Sequence, residues 1–312
     1  MGENWEVAAA IALMCILMIF EGTKIWDYYR IKDYVTHEAS FIWSEYSTDS
    51  DVMRLYQYGP NGQERLLEER YEFRDFICSK DNEKLLSFTG IDSQRFTIVE
   101  YDIVNRKLDT ILELEEINAF LDENGYEKKN TQREGNCVRY YDDERKISFI
   151  YDRYLMGYSE EKGLEVIYAT KCFSIYGYSW LADGESLLIC DADGLIKYNT
   201  ITGKKEMVAE GIRAFDISQD EKFIIMSDKD ETIWKYDLET GKNKKIYQTM
   251  WFCPILRISE DNRYLLYENL KTDMGGSKNS IRIIDLQTGE KILIKKWKYS
   301  AHILVTGVAW RN

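Results

Sequence analysis

The polar clusters of this chain limit the chemistry that it could perform. Two acidic segments, Asp191-Ala-Asp193-Gly194 and Asp228-Lys-Asp230-Glu231, carry the oxygen ligands that Ca²⁺ prefers. The same pattern between two apolar segments is typical of a hairpin turn, and we interpret both segments as turns, with calcium binding as the alternative. Gly275-Gly276-Ser277-Lys278 resembles a phosphate loop but lacks an upstream Gly and a following helix, so we interpret it as a hairpin.

Catalytic motifs are missing from the sequence, which contains no GxSxG, HExxH, P-loop or GxGxxG pattern. The two histidines, His37 and His302, give an acid–base pair almost no candidates. The six cysteines form no CxxC pair, so zinc-site spacing is absent, although a disulfide stays possible. We therefore predict no catalytic residue, no metal and no cofactor.

Composition restricts the class of protein. The formal net charge of −13 argues against a nucleic-acid surface, which needs a clustered basic patch. The hydrophobic content of 45% is enough for a sizeable core, and 14% aromatic residues suit β-strands. The 312 residues are compatible with one large all-β domain.

A repeated acidic turn organises the sequence. In five places an apolar strand leads into a short acidic turn and then into a second apolar strand, and the turn aspartates are Asp81, Asp143, Asp183, Asp220 and Asp261. They are 62, 40, 37 and 41 positions apart. A period of about 40 residues with strand-like content between turns is typical of propeller blades, each a four-stranded sheet.

A second turn recurs within the same units, at Asp102, Asn199, Asp237 and Asp285. An Asp or Asn side chain can accept a hydrogen bond from its own turn, and the Gly that follows in three copies can supply a positive φ. Two repeats in the same order strengthen the prediction of an all-β, six-bladed β-propeller.

The blades can be placed along residues 40–312. Five are predicted to begin near Tyr71, Gly135, Cys172, Gly211 and Trp251. The sixth is split: residues 40–69 supply three strands, and residues 301–312 supply the fourth, so that pairing of the two ends closes the ring and removes an exposed edge. Residues 112–134 have apolar side chains at helical spacing and are predicted to be a helical insertion.

The turn pattern apolar-Ser-x-Asp-x-x-apolar-apolar, seen in Ile217–Ile224 and Ile258–Leu265, resembles the repeats of TolB-like, WD-repeat-like propellers. It is also similar to repeats in the propeller of dipeptidyl-peptidase-type peptidases. The resemblance covers residues 40–312. It implies a six-bladed propeller and, because such modules are typically exported binding or scaffold domains of bacteria, a binding role.

An apolar segment, Val7–Phe20, precedes the predicted propeller. As a helix it would extend about 21 Å, and Trp5 and Trp26 flank it where interfacial indoles would lie. We predict a hydrophobic helix over residues 1–26 that acts as a single-pass membrane anchor through residues 5–26, followed by a connector over 27–39. A signal peptide and a buried core helix are alternatives. The side of the membrane stays open, since the resemblance favours export whereas the flanking charges and the cysteines favour the cytoplasm.

The predicted function is a non-catalytic, membrane-tethered propeller that binds a protein or peptide partner. Propeller ligands usually bind at the mouth of the central channel, beside the segments that lead into the inner strands. We assign binding roles there to Tyr176, Tyr178, Arg213, Trp251 and Phe252, because aromatic residues and Arg suit protein contacts, with packing between blades as the alternative for each. Alternative functions are a hydrolase or lactonase-type enzyme with a metal or carboxylates in the channel, and a structural spacer.

Overall fold

The computed structural model describes residues 26–35, 37–47, 52–59, 62–71, 73–89, 97–127, 136–142, 146–171, 175–249, 255–273, 276–297 and 303–311. Within these residues, 24 strands form six four-stranded sheets. This arrangement confirms the predicted all-β, six-bladed propeller.

Blade 1 combines strands from both ends of the described chain. Its order is β24-β1-β2-β3. The strands are β1 (Phe41–Ser47), β2 (Val52–Gly59), β3 (Gln63–Glu68) and β24 (Ile303–Trp310). β24 pairs with β1 in antiparallel orientation, from Trp310 opposite Phe41 to Ile303 opposite Ser47.

Blades 2 to 6 each use four strands that are consecutive in the chain. In chain order these strands are β4 (Arg74–Cys78), β5 (Lys84–Thr89), β6 (Thr97–Asp102) and β7 (Lys107–Glu113) in blade 2; β8 (Asn136–Tyr141), β9 (Lys146–Tyr151), β10 (Tyr154–Ser159) and β11 (Gly163–Ala169) in blade 3; β12 (Ile175–Trp180), β13 (Ser186–Asp191), β14 (Gly194–Asn199) and β15 (Lys205–Glu210) in blade 4; β16 (Ile212–Ile217), β17 (Phe223–Asp228), β18 (Thr232–Asp237) and β19 (Asn243–Gln248) in blade 5; and β20 (Leu256–Ile258), β21 (Tyr264–Asp273), β22 (Gly276–Asp285) and β23 (Lys291–Lys296) in blade 6.

The inner strands of the blades surround a central channel. The first strand of each blade contacts the first strand of the next, in the order β4, β8, β12, β16 and β20, and β24 contacts both β20 and β4. The second strands of blades 2 to 6 lie inside their own sheets and are largely buried, as in β13, where all six residues are buried. The outermost strands, such as β15, are largely exposed.

Apolar packing between blades holds the propeller together. Six clusters of buried side chains each join two neighbouring blades, so every seam of the described ring has its own core. Aromatic residues supply much of the volume, and Trp43, Phe149 and Tyr267 are almost fully buried at three different seams. Burial of one large apolar side chain contributes about 1.5–3 kcal/mol, so stability is distributed around the ring.

The predicted acidic turns connect the first and second strands of the blades. Ser259 Oγ donates to Asp261 Oδ1 at 2.5 Å and accepts the backbone N–H of Tyr264 at 2.9 Å. Ser79 and Ser218 accept equivalent backbone N–H groups in their own blades. The side chain and the backbone of each turn therefore satisfy one another, which explains the repeated Ser-x-Asp pattern. Asp143 lies outside the described residues.

The acidic segments examined as calcium candidates are turns, as predicted. Asp191 Oδ1 accepts the N–H of Asp193 at 3.0 Å, and Asp228 Oδ1 accepts the N–H of Asp230 at 2.9 Å. Asp273 and Gly276 end a hairpin between β21 and β22, as predicted for the Gly-rich segment. Among the described residues, no group of three or more His, Cys, Asp and Glu side chains is placed to hold a metal ion.

Two helices in the described part of the chain pack against the seams. Helix α1 (26–35) covers the seam between blades 1 and 6, where Ile31 and Val35 are buried and the ring of Tyr34 stacks on Tyr264 with centroids 3.7 Å apart. Helix α2 (Leu114–Glu123) lies within the predicted insertion and packs between blades 2 and 3.

The predicted membrane localisation is wrong. No helix in the described part of the chain is long and apolar enough to cross a bilayer. Helix α1, which includes Trp26, instead packs against the propeller through one face. The segment Val7–Phe20 and Trp5 lie outside the described residues. The physical weakness of the prediction was length, because fourteen helical residues extend about 21 Å and the hydrocarbon core is about 30 Å thick.

Candidate functional site

A cavity of about 260 Å³ occupies one end of the channel. We call it the mouth cavity, because it lies where the chain enters the inner strands; the other end, with the Ser-x-Asp turns, is the turn end. Blades 2 to 6 contribute to its walls. Its charged and polar side chains belong to Asp75, Cys137, Arg139, Tyr176, Tyr178 and Arg257. Its apolar side includes Ala214, Phe215 and Ile255.

β-Bulges shape the cavity at matching positions of four inner strands. Cys137 in β8, Tyr176 in β12 and Arg213 in β16 are each an extra residue opposite the second strand, and the pairing of β4 shifts between Arg74 and Ile77. Asp75 and Cys137 have positive φ angles of 39° and 56°. A bulge changes the direction of a side chain and interrupts the pleat, which is how these strands present polar groups to the channel.

Three charged side chains, Asp75, Arg139 and Arg257, line the cavity, and a fourth, Asp216, lies outside the lining but interacts electrostatically with both arginines. Arg257 Nη2 donates to Asp75 Oδ1 at 2.9 Å, which links blades 6 and 2 across the channel. Arg139 Nη1 lies farther from the same carboxylate, at 3.8 Å from Asp75 Oδ2. Asp216 Oδ2 accepts the backbone N–H of Ile258 at 2.7 Å. Together these side chains form a network of two guanidinium groups and two carboxyl groups.

Burial and charge together set the ionisation of these groups. Burial alone would raise the pKa of Asp75, but the cations Arg139 and Arg257 bring it below its ordinary value. Burial raises the pKa of Asp216, although the same two cations oppose the shift. Burial also raises the pKa of the Cys137 thiol and the Tyr178 hydroxyl, so both groups stay neutral near neutral pH.

The structure separates the residues that the sequence predicted for binding. Tyr176 lines the mouth cavity with 46% of its surface exposed. Tyr178 also lines the cavity but is buried, and its hydroxyl donates to Ser148 Oγ at 2.9 Å. Arg213 is exposed on β16. Trp251 and Phe252 lie outside the described residues. The binding role of all five residues stays a prediction.

The charged residues of the network were not among the predicted site residues, although the sequence carries a signal for them. Arg139, Asp216 and Arg257 each stand four positions before the turn aspartate of their repeat. The inner strand is otherwise mainly apolar there, and Ile77 occupies the same position in blade 2. A charged residue recurring at one position of an inner strand indicates a channel-facing group.

Comparison with known proteins supports the fold. No family model and no curated protein sequence matches the chain. Among solved structures, TolB from Acinetobacter baumannii is similar with 11% identity and a TM-score of 0.67, over 87% of this chain and 66% of that chain. This chain therefore spans slightly less than two thirds of that TolB.

Two further solved structures are similar over most of their own length. Putative TolB from Agrobacterium tumefaciens matches with 10% identity and a TM-score of 0.58, over 88% of this chain and 99% of that chain. A chain from a nidogen/laminin complex matches with 8% identity and a TM-score of 0.62, over 87% of this chain and 98% of that chain. The resemblance to TolB-like propellers is confirmed. At these identities it describes the fold.

Proposed function

We propose that this protein is a non-catalytic binding module whose mouth cavity receives part of a protein or peptide partner. The observation that carries the proposal is the cavity itself, at the end of the channel where the inner strands are bulged. Its volume of about 260 Å³ is below the roughly 300–1,000 Å³ of typical small-molecule pockets. The cavity therefore suits one or two side chains that project from a larger partner.

The rim supplies the contact surface that such a partner needs. Tyr176 offers a large rigid ring that is 46% exposed, and Arg213 is exposed on the neighbouring inner strand. Tyr and Arg are enriched among residues that dominate binding energy. Below the rim, the ion pair of Asp75 with Arg257 forms a polar floor, while Phe215 forms part of an apolar wall.

The reactive groups of the cavity favour binding over catalysis. The thiolate is the nucleophilic form of cysteine, and burial raises the pKa of Cys137, which disfavours that form. The Asp75 carboxylate is held by Arg257. One of the similar structures is a nidogen/laminin complex, which is a precedent for a similar fold in an assembly of two proteins.

A selection experiment tests the proposal. A displayed library of random peptides is panned against the purified protein, and the affinities of the recovered peptides are measured for wild type, Tyr176→Ala and Ile201→Ala. Ile201 is the matched control, because it is 73% exposed but lies at the turn end, where Thr200 bonds to the Glu185 carbonyl. We expect Tyr176→Ala to weaken binding about tenfold or more without lowering the melting temperature.

Peptides that bind equally well to the wild type and to Tyr176→Ala would contradict the proposal. So would peptides that lose affinity for Ile201→Ala, because they would bind at the turn end.

A further inference from the structure

We infer that the mouth cavity recognises a carboxamide, the side chain of an Asn or Gln carried by the partner. The inference rests on the proposed function and names the chemical group that enters the cavity. It is drawn from the juxtaposition of an under-bonded carboxylate oxygen, a loosely held guanidinium and an apolar wall within one small space.

The charge balance of the cavity favours a neutral group. Arg139 and Arg257 bring two positive charges to the cavity wall, which Asp75 in the wall and Asp216 outside it face with two carboxyl groups. Cys137 is neutral near neutral pH because burial raises the pKa of its thiol, and burial likewise keeps the Tyr178 hydroxyl neutral. An added charge would be desolvated without a spare counter-ion, which is costly, whereas a neutral polar group avoids this penalty.

The two arginines hold Asp75 unequally. Arg257 donates a hydrogen bond of 2.9 Å to Asp75 Oδ1. Arg139 Nη1 is 3.8 Å from Asp75 Oδ2, beyond hydrogen-bond distance, and that oxygen is buried without a hydrogen bond of normal length and angle among the described residues. The thiol and the backbone N–H of Cys137 also interact with this carboxylate. Arg139 otherwise donates to the carbonyl of Val138 at 2.8 Å, so further N–H groups of this cavity-lining guanidinium can serve a ligand.

A carboxamide supplies both missing partners at once. Its oxygen accepts from the Arg139 guanidinium, and its NH₂ group donates to Asp75 Oδ2. Its methylene groups contact the apolar side that Phe215 and Ile255 form. One such side chain also fits the cavity volume of about 260 Å³.

Other side chains satisfy only part of this site. A carboxylate accepts from Arg139 but has no donor for Asp75 Oδ2 and places a like charge beside it. An ammonium group donates to Asp75 but lies close to two guanidinium groups. An aliphatic side chain leaves both polar groups unpaired, and buried sites that bond a polar ligand group reject analogues lacking it.

The test uses peptides recovered by panning the displayed library against the full chain. We expect the recovered sequences to share an Asn or Gln. Replacing that residue by Asp or Glu, or by the isosteric Leu or Met, should lower the affinity for the wild-type protein about tenfold or more. This comparison changes only the peptide, so it does not depend on the folding of any protein variant.

Two protein variants test which arginine recognises the carboxamide. Arg139→Lys should remove the discrimination between the carboxamide peptide and its replacements, because a single ammonium cannot reproduce the guanidinium donors. Arg257→Lys is the matched control and should keep the discrimination, because a lysine still pairs with Asp75 Oδ1.

The outcomes separate the inference from the proposed function. Peptides that require Tyr176 but tolerate replacement of Asn or Gln overturn the inference and leave the proposed function standing. Discrimination that is lost in Arg257→Lys but kept in Arg139→Lys also overturns the inference. Recovery of no peptide that depends on Tyr176 overturns both.

Discussion

The two ends of the channel differ in how regular their hydrogen bonds are. At the turn end, the same bonds recur from blade to blade, and neighbouring turns are joined, as when the N–H of Gln219 donates to Asn262 Oδ1 at 2.7 Å. At the mouth, bulges interrupt the inner strands, and the two arginines lie at different distances from Asp75. The repeated turn sequence therefore forms regular hydrogen bonds at the turn end, whereas the candidate site lies at the mouth, where bulges interrupt the regular strands.

Blade 6 shows the same contrast within one hairpin. Asp285, at the turn end of β22, is fully buried and accepts hydrogen bonds from Arg30 and Arg263. Glu268, on β21, lies beside Ile255 at the mouth and is 2% exposed. Its carboxyl group has no side-chain partner among the described residues, and burial raises its pKa to about 8.

The largest loss of stability is expected from Asp285→Ala at the turn end. The substitution removes the carboxylate that pairs with Arg30 on α1 and with Arg263, so we expect a loss of about 3 kcal/mol in the free energy of unfolding, measured by urea denaturation. Asp237→Ala is the control, because Asp237 holds the equivalent turn and bonds only to Thr240 among the described side chains. It should cost about 1 kcal/mol. Equal losses would show that the arginine pairs contribute nothing.

At the mouth, Glu268→Gln is expected to raise the free energy of unfolding at high pH, whereas Asp285→Ala lowers it. The pKa of Glu268 rises from an ordinary 4.5 to about 8, so the folded protein retains a proton that the unfolded chain releases. Wild-type stability should therefore fall as the pH rises from about 4.5 to about 8, at about 1.4 kcal/mol for each unit of pKa shift. Glu268→Gln removes this loss and should be more stable than wild type at about pH 9, with little difference at about pH 4.

Denaturation curves at the two pH values test this prediction. Glu160→Gln, at an exposed position, serves as the control and should leave the pH dependence of wild type unchanged. A Glu268→Gln variant whose stability follows the pH as steeply as the wild type would show that this carboxyl group is ionised in the fold.

A smaller loss is expected from Ser259→Ala. The Ser259 hydroxyl bonds both Asp261 and the backbone of Tyr264, so its removal leaves a buried N–H without this acceptor and should cost about 1–2 kcal/mol. Ser179→Ala in inner strand β12 should cost less, because the one bond of that hydroxyl to a described residue is a long one, of 3.4 Å, to the Trp180 carbonyl. Thermal unfolding of both variants ranks the two effects, and the reverse order would contradict the contrast between the ends.

The sequence predicted the fold better than the site, for a physical reason. The Ser-x-Asp turns are local structures whose bonds lie within six residues, so each repeat is visible in the sequence. The mouth depends on bulges, and an extra residue such as Tyr176 shifts the alternation of the strand. Tyr176 is therefore exposed while Tyr178 is buried against Ser148, although both were predicted as contact residues.

The ion pair at the cavity could not be predicted from the sequence, because its residues are far apart in the chain. The ion pair of Asp75 and Arg257 joins residues 182 positions apart, and it forms because blades 2 and 6, on either side of blade 1, both present their inner strands to the channel. Local patterns contain no information on which charged residues meet there. The recurring charged position before the turn aspartate marks Arg139, Asp216 and Arg257 as channel residues but does not show their partners.

Photocrosslinking tests the central claim, that partners bind at the mouth, most directly. The photoreactive residue p-benzoyl-phenylalanine is placed at Tyr176, which lines the mouth cavity, or at Ile201, which is exposed in the outer β14–β15 hairpin on the opposite face of the propeller. Each protein is irradiated with a biotinylated peptide from the selection. We predict a crosslinked product from the Tyr176 position and none from Ile201, with an excess of unlabelled peptide suppressing the product. Crosslinking at Ile201 without crosslinking at Tyr176 would contradict the assignment of the mouth cavity as the binding site.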